Sequence, residues 1–526
     1  MKNLIKKYKK VLDRKRIFNE ITKKPHLFIL GILLITGFIF AFYNFENRYV
    51  LEDETVREAI IGIEGARQKQ VPLVGAFSSA APFTWGPWFY YQIIVFSLIF
   101  PSFYSPWIYL GLAYLGSILL LYKIGVYLEN KDFGIILAAL GTFSPALIIG
   151  ATHLTFPNLI TFFALLSVLL FIKIIKKDVS YWWAFLFGII LGIGINVHYQ
   201  AASLLILPLI MLFYKRKKIF YFLSFLAGSF LTFIPLIIFD LTNHWFNTKN
   251  ILYFYLYGKD LIYVPNRWLF YVRDFWPAYW GDVIGVSNVV AFTFMALTPF
   301  ILLYQLYKKR LSIPLLLIAI AFFIDFVVMR YYWGERFFGY FNFLRPFVFI
   351  FSGYIFYFSY KEFKKLKVVW LFAFFALMLI IAPKSIDRLK GSAFNEDIYN
   401  RVSSLEKIHP DKKFTLYICE DLYKGNDQRI PKSILYILEK NEKTNDNAFK
   451  IGVEKEACVK KATKNKRITK EGQIIASERN FPQIGNLDIY DFSKADEEFL
   501  RKAGWRKITF RTYYDETTRW WFNEQP

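Results

Sequence analysis

From Leu27 to Tyr43 the chain runs without a single charged residue, and runs of this kind recur along three quarters of its length. An uncharged apolar stretch of about 20 residues, coiled as a helix, matches the ~30 Å hydrocarbon core of a bilayer. In that core every backbone N–H and C=O must find a partner within its own segment or a closed barrel. Repeated runs of this length therefore leave a bundle of helices as the fold. Further runs lie near residues 105–122, 133–150, 155–175, 181–199, 200–214, 219–239, 284–306, 312–329, 341–360 and 368–383. The expected fold class is an α-helical polytopic membrane protein with about eleven transmembrane helices.

Composition agrees. Of the 526 residues, 55% are hydrophobic and 20% are aromatic, with 58 Phe and 35 Tyr. The formal net charge is +24. In a soluble chain that balance would suggest nucleic acid as partner. Here the basic residues fall in short runs between apolar segments, the pattern of loops that face anionic lipid, so nucleic acid is excluded as partner and the bilayer is expected.

Charge placement also sets the expected topology. Residues 1–25 are dense in Lys and Arg and are read as a cytoplasmic N-terminus. The apolar run after them is too long for a cleaved signal peptide and is read as a retained first helix. Residues 26–383 then form the membrane domain, with a long first outer loop over 44–104. Within that loop Val56, Ile60, Ile63 and Ala66 share one helical face, which fits an amphipathic helix at the interface. The segment Trp85–Phe100 is apolar but bounded by Pro87 and Pro101. If it does not span, the basic loops Lys123–Asp132, Lys173–Asp178, Tyr214–Lys218, Tyr307–Arg310 and Lys361–Lys367 all fall inside. If it spans, all of them fall outside, against the positive-inside rule. It is therefore read as re-entrant or interfacial, and the C-terminus as extracytoplasmic.

From residue 384 to 526 the composition turns polar. Phe414–Cys419 and Lys507–Tyr514 are β-rich, whereas the stretches PKSILYILEK and KADEEFLRKAG are helix-like. This predicts a small α/β or α+β soluble domain. Its cysteines, Cys419 and Cys458, are either a disulfide or two free thiols.

Polar residues at the outer helix ends are the candidates for chemistry. Asp53 and Glu54 are adjacent in the first outer loop. A carboxylate there either deprotonates an acceptor hydroxyl or is simply solvated in an acidic stretch. His153, His198 and His244 fall at outer turns and suit phosphate or interfacial hydrogen bonding. No two of them share metal-ligand spacing, so no metal site is assigned and a divalent ion is left open. Arg330, Arg336 and Arg345 sit in an outer loop where Arg is usually avoided. They answer either to a bound anionic headgroup or to carboxylates such as Glu335.

The order of motifs carries a resemblance. LEDET in the first outer loop is followed by PLVGAFSSAAPFTWGPWFYY, TFSPALIIGATHLTFPN, GIILGIGINVHYQ and FIPLIIFDLTNHWFNTK. Over about residues 25–350 the chain resembles the GT-C superfamily of membrane glycosyltransferases, in particular the branch of protein O-mannosyltransferases and aminoarabinose transferases. The resemblance implies a sugar donor carried on a polyprenyl monophosphate, inversion at the anomeric centre, and a protein, lipid or glycan acceptor. It implies that Asp53, with Glu54 beside it, is the base on the acceptor hydroxyl. Arg330 and Arg336, with His198, are the candidates for the donor phosphate. Trp85, Tyr90, His153 and His244 are the candidates for the sugar and acceptor. No metal-ligand set of the family is recognisable in the sequence, and the C-terminal domain carries no familiar motif. A polymerase or flippase of lipid-linked glycans would share the bundle. A flippase, however, needs charges inside several helices, and only Asp325 and Asp240 qualify here.

Overall fold

The computed structural model describes residues 24–78, 82–177, 179–214, 218–257, 268–332, 336–419, 429–445, 449–455, 473–478, 487–492, 494–502 and 504–518; for Asp53 and Cys419 the description is of the backbone alone. Cys458 lies outside the described residues.

The protein is a polytopic helical bundle carrying a small α+β domain. Eight described helices are long and apolar enough to cross a membrane: Pro25–Phe42, Ser105–Leu128, Phe156–Lys176, Ile219–Thr242, Asn288–Tyr307, Ile313–Arg330, Phe338–Glu362 and Lys364–Asp387. The other three expected spans are shorter or broken. Tyr181–Val197 and Tyr199–Tyr214 are short apolar helices. The 133–150 run divides into Lys131–Thr142 and Pro145–Gly150, because Ser144 caps the second piece through Leu147 N and donates its hydroxyl to Val283 O at 2.6 Å. Phe338–Glu362 lies at the centre of the bundle. Lys364–Asp387 lies at its edge and turns Val368, Leu371, Phe372 and Phe375 outward. Such a surface is tolerable only against lipid.

Small residues bring the helices close. A Cβ on Gly188 would sit 2.0 Å from Phe225 O, and one on Gly228 2.0 Å from Phe185 O. The helices Tyr181–Val197 and Lys218–Thr242 therefore touch backbone to backbone, as small residues permit in membranes.

Trp88–Ile99 has 12 residues, a rise of about 18 Å, too little to cross. Four of the basic loops gather at one end of the bundle, and residues 215–217 of the fifth lie outside the described residues. His26 meets Asp132 at 2.8 Å, Lys361 meets Glu129 at 3.5 Å, Arg310 meets Glu362 at 3.1 Å, and Lys176 donates to Tyr127 O at 2.6 Å. The 44–104 loop lies at the opposite end.

The soluble domain has five described strands: β1 Phe414–Cys419, β2 Phe449–Lys455, β3 Gln473–Glu478, β4 Leu487–Asp491 and β5 Trp505–Ile508. Their order is β3-β4-β2-β1-β5, with β1 and β2 parallel and the remaining pairs antiparallel. Along β1 the side chains alternate. Phe414, Leu416 and Ile418 join the main core, and Tyr417 joins Tyr490, Phe492 and Trp505 on the other face. The expected β character of Lys507–Tyr514 holds only to Ile508. Thr509 and Thr512 then cap one another, Thr512 N to Thr509 Oγ1 at 3.0 Å and Thr509 N to Thr512 Oγ1 at 2.8 Å, and start the helix Phe510–Thr518. This reciprocal cap overrides the strand propensity of the Tyr pair.

The domain roofs the first loop. The helix Asp53–Gln68 buries Val56, Ile60, Ile63 and Ala66 as expected, but Ile61 and Ala59 are buried as well. The domain helices Arg429–Lys440 and Phe510–Thr518 pack on it. It is an enclosed helix, and not one with a free polar face.

Candidate functional site

Three groups of residues meet at the end of the bundle opposite the basic loops.

The first group surrounds the start of the Asp53–Gln68 helix. Asp53 is its first residue and Glu52 its N-cap. The preceding strand of chain is pinned from two sides. Val50 N donates to Thr152 O at 3.1 Å, Leu51 N to Asn395 Oδ1 at 3.2 Å, and Asn395 Nδ2 to Tyr49 O at 2.6 Å. Ser433 of the soluble domain donates to Leu51 O at 2.5 Å. These bonds bring His153 beside the acidic stretch. Burial holds the His153 imidazole below its ordinary pKa, and the Glu52 and Glu54 carboxylates pull the other way. Glu54 is exposed. One turn on, Glu58 is fully buried and bonded to Arg57 at 2.5 Å and to the Tyr90 hydroxyl. Tyr90 is 1% exposed, so it anchors this helix rather than facing an open sugar site.

The second group is an aromatic stack. The rings of Trp85 and His198 lie 4.3 Å apart at 21°, and the Tyr340 ring lies 5.3 Å from that of His198. Gly86 makes the approach feasible. Its N–H donates to Asn196 O at 2.8 Å, and a Cβ there would lie 2.0 Å from Asn196 Oδ1. A polar network holds the stack in place. Asp240 caps the helix Phe246–Tyr257 by accepting from Asn247 N at 2.7 Å and Thr248 N at 3.0 Å. Asn247 in turn accepts from Thr84 N at 2.6 Å, and Tyr199 donates to Thr84 O at 2.7 Å. His244 is exposed in the turn before that helix, at φ 53°, and no described contact joins it to the stack.

The third group is an arginine pair. Arg330 ends the helix Ile313–Arg330 and is 1% exposed. Its guanidinium lies 5.2 Å from the Trp268 ring centre, and that of Arg336 lies 5.1 Å from the Tyr271 ring centre. Arg336 Nη2 donates to Arg330 O at 3.2 Å. The buried Nε and Nη1 atoms of both have no acceptor among the described residues. Burial, and then the Arg330 charge, hold the pKa of Arg336 below its ordinary value. Glu335 lies outside the described residues. A buried cation beside a half-buried one, both with buried unused donors, is costly unless an anion completes them.

Contacts join the groups. Tyr90 and Phe156 rings lie 5.9 Å apart, Asn342 Nδ2 donates to Pro157 O at 2.8 Å, and Phe337, next to Arg336, packs on Tyr340 at 5.5 Å. An apolar cavity of about 210 Å³ lies near the arginine pair, lined by Val272, Trp280, Phe292, Met295, Phe322 and Phe326 among others. Phe326 also packs on Tyr271 at 5.1 Å, so these two rings stand between the cavity and Arg336. A second cleft, of about 310 Å³ and lined by Glu64, Arg67 and Glu439 among others, opens near the far end of the Asp53–Gln68 helix, some 16 Å of helix rise from Asp53, and takes no part in the site. Among the described residues no three His, Cys, Asp or Glu side chains are grouped to hold a metal ion.

Sequence reasoning missed Trp268, Tyr271 and Tyr340, which seat the arginines and His198. The only signal was the aromatic density of 268–284, a stretch assigned to no helix.

No family model and no curated protein matches the chain. Solved structures do. ArnT from Cupriavidus metallidurans bound to undecaprenyl phosphate superposes with a TM-score of 0.56 at 10% identity, over 89% of this chain and 98% of ArnT. Its apo state gives 0.55 at 11% identity, over the same shares. The oligosaccharyltransferase of Archaeoglobus fulgidus, tethered with an acceptor peptide, gives 0.49 at 15% identity, over 74% of this chain and 58% of that one.

The chain has the GT-C fold. The superposition on ArnT at 10% identity rests on backbone path alone, and it assigns none of these side chains a role.

Proposed function

We propose that this GT-C chain is an inverting glycosyltransferase that moves a sugar from a polyprenyl monophosphate to a hydroxyl acceptor, at the end of the bundle opposite the basic loops. The observation that carries the reading is the Arg330–Arg336 pair, whose buried donors are unused, with an apolar cavity just beyond its ring seat. A lipid phosphate matches both halves: oxygens for the guanidinium groups and an isoprenoid tail for the cavity. ArnT, whose fold the chain shares, was captured with undecaprenyl phosphate.

In the reaction the acceptor oxygen attacks the anomeric carbon from the face opposite the phosphate. The new C–O bond forms as the sugar–phosphate bond breaks, and its electron pair leaves on the phosphate oxygen. Asp53 takes the acceptor proton. Arg330 and Arg336 stabilise the charge that builds on the leaving phosphate, in a site preorganised for it. Trp85, stacked on His198, offers a ring face to the sugar. His153 and Glu54 sit beside the base and orient the acceptor. The positive-inside rule favours the cytoplasm for the end that carries the basic loops, which supports a reaction and a soluble domain on the outer face.

The test is Asp53→Asn, assayed for sugar transfer in membranes. We expect transfer to fall at least 100-fold with normal insertion. Transfer at the wild-type rate removes Asp53 as the base.

A further inference from the structure

Beside the arginine pair lie two buried acceptors that the reaction above leaves unused. Asp325 is 1% exposed. Ser203 donates its hydroxyl to Asp325 Oδ1, while Oδ2 has no donor among the described residues. Gln200 donates through Nε2 to the Tyr332 hydroxyl at 3.0 Å, and its buried Oε1 likewise has no donor.

These groups form one seam. Tyr199–Leu205 is a 3-10 helix, and three residues per turn put Gln200 and Ser203 on the same face. That face runs along the helix Ile313–Arg330, with Ser203 against Asp325 and Gln200 against Tyr332 just past the helix end. The seam adjoins the phosphate site through Tyr271. The Tyr271 hydroxyl donates to the carbonyl of Phe326, the neighbour of Asp325, at 2.8 Å, and the guanidinium of Arg336 lies over the Tyr271 ring.

The arginines are donors without acceptors, and the seam offers acceptors without donors. The two halves do not satisfy one another, since Oδ2 of Asp325 and the Nε and Nη1 atoms of both arginines are all unpaired. Each such group is costly in a dry interior. The ligand that completes both is anionic at one end and rich in donor hydrogens at the next. A glycosyl phosphate has that order of groups. A bare lipid phosphate completes only the arginine half.

We propose that Asp325 and Gln200 recognise the sugar of the lipid-linked donor by accepting hydrogen bonds from its hydroxyl or ammonium groups, an inference that rests on the donor reading above. These residues thus select the glycosylated lipid over the spent one. They also favour sugars with a donor group at the position facing the seam.

The test uses the full-length protein in detergent, incubated with a total lipid extract containing polyprenyl phosphates and their glycosylated forms. Retained lipids are then weighed by mass spectrometry. Wild type is expected to hold both forms. Asp325→Asn leaves Oδ1 to accept from Ser203 and replaces Oδ2 by a donor. It is expected to keep the bare phosphate and to lower the glycosylated-to-bare ratio at least 10-fold. Gln200→Met shifts the ratio the same way, and carries the test if Asp325→Asn does not fold. An unchanged ratio in the variants overturns the inference. So does equal loss of both forms, which marks a structural role, or a wild type that holds only the bare lipid. The double variant Arg330→Ala, Arg336→Ala is expected to hold neither form. If it holds both, or if wild type holds neither, the donor reading itself fails.

Discussion

Arg336 donates through Nη2 to the backbone carbonyl of Arg330 at 3.2 Å, which ties a half-buried guanidinium to a buried arginine without a described ion pair to balance either. The arrangement weakens the empty protein and favours the anion-bound one. Undecaprenyl phosphate is therefore expected to raise the melting temperature of wild type by several degrees. In Arg330→Ala, Arg336→Ala that shift should vanish. The unliganded single variant Arg336→Met should be no less stable than wild type, because it removes a like charge beside the buried Arg330. Thermal unfolding with and without the lipid checks both. A variant that is much less stable when empty points to a purely structural pair.

The cavity against Phe326 is expected to read chain length. Met295→Trp fills it, at a packing cost of about 1–3 kcal/mol. Affinity for undecaprenyl phosphate should fall about 10-fold, while affinity for a ten-carbon isoprenyl phosphate should not change. Titration of tryptophan fluorescence with the two lipids separates the outcomes. Equal losses for both place the tail elsewhere.

Lys432, in the soluble domain, is 3% exposed and lies over the Tyr513 ring at 5.3 Å. Burial holds its pKa down at about 7. The unfolded chain keeps its lysine near the ordinary value and so binds more protons than the native state between about pH 7 and pH 10. Stability then rises with pH across that window, by at most about 1.4 kcal/mol per unit. The destabilisation is complete below pH 7. The protein should melt higher at pH 9 than at pH 6.5, and Lys432→Met should flatten the difference. Melting curves at the two pH values decide it, and an equal slope in the variant assigns the dependence to another group.

Gly188 and Gly31 should respond oppositely to a side chain. Gly188 meets the Phe225 carbonyl, whereas nothing lies within 4 Å of a Cβ on Gly31. Gly188→Leu is expected to abolish folded yield by prying two helices apart. Gly31→Ala should leave yield and melting unchanged. Size-exclusion profiles of the two variants compare them directly.

Much of this was legible in the residues themselves. Runs such as Leu27–Tyr43 announce membrane helices, because hydrocarbon demands length and apolarity with no regard to neighbours. The charge rule made Trp85–Phe100 a segment that does not span, and Trp88–Ile99 is too short to span. Periodicity marked the helix from Asp53, and β-rich composition marked β1. Where local and distant demands compete, the reading fell short. Lys507–Tyr514 looked like strand throughout until a Thr509–Thr512 cap turned it to helix. The helices over 246–257 and 268–284 went unassigned because their aromatic and polar residues are interleaved, without a clean run.

The sequence by itself determined that this chain is a helical membrane bundle with a polar domain at its C-terminal end, and which residue types stand at the helix ends. Tertiary structure alone decided who meets whom. Asn395 and Ser433, some 340 and 380 positions further along, hold the chain just ahead of Asp53. His198 gains Tyr340 as a ring partner, and Asp325 gains Ser203. Burial, ring stacking and unpaired donors are properties of contacts between distant segments. No local pattern encodes them, since hydrophobic periodicity tells a residue which way to face and never what it will find there.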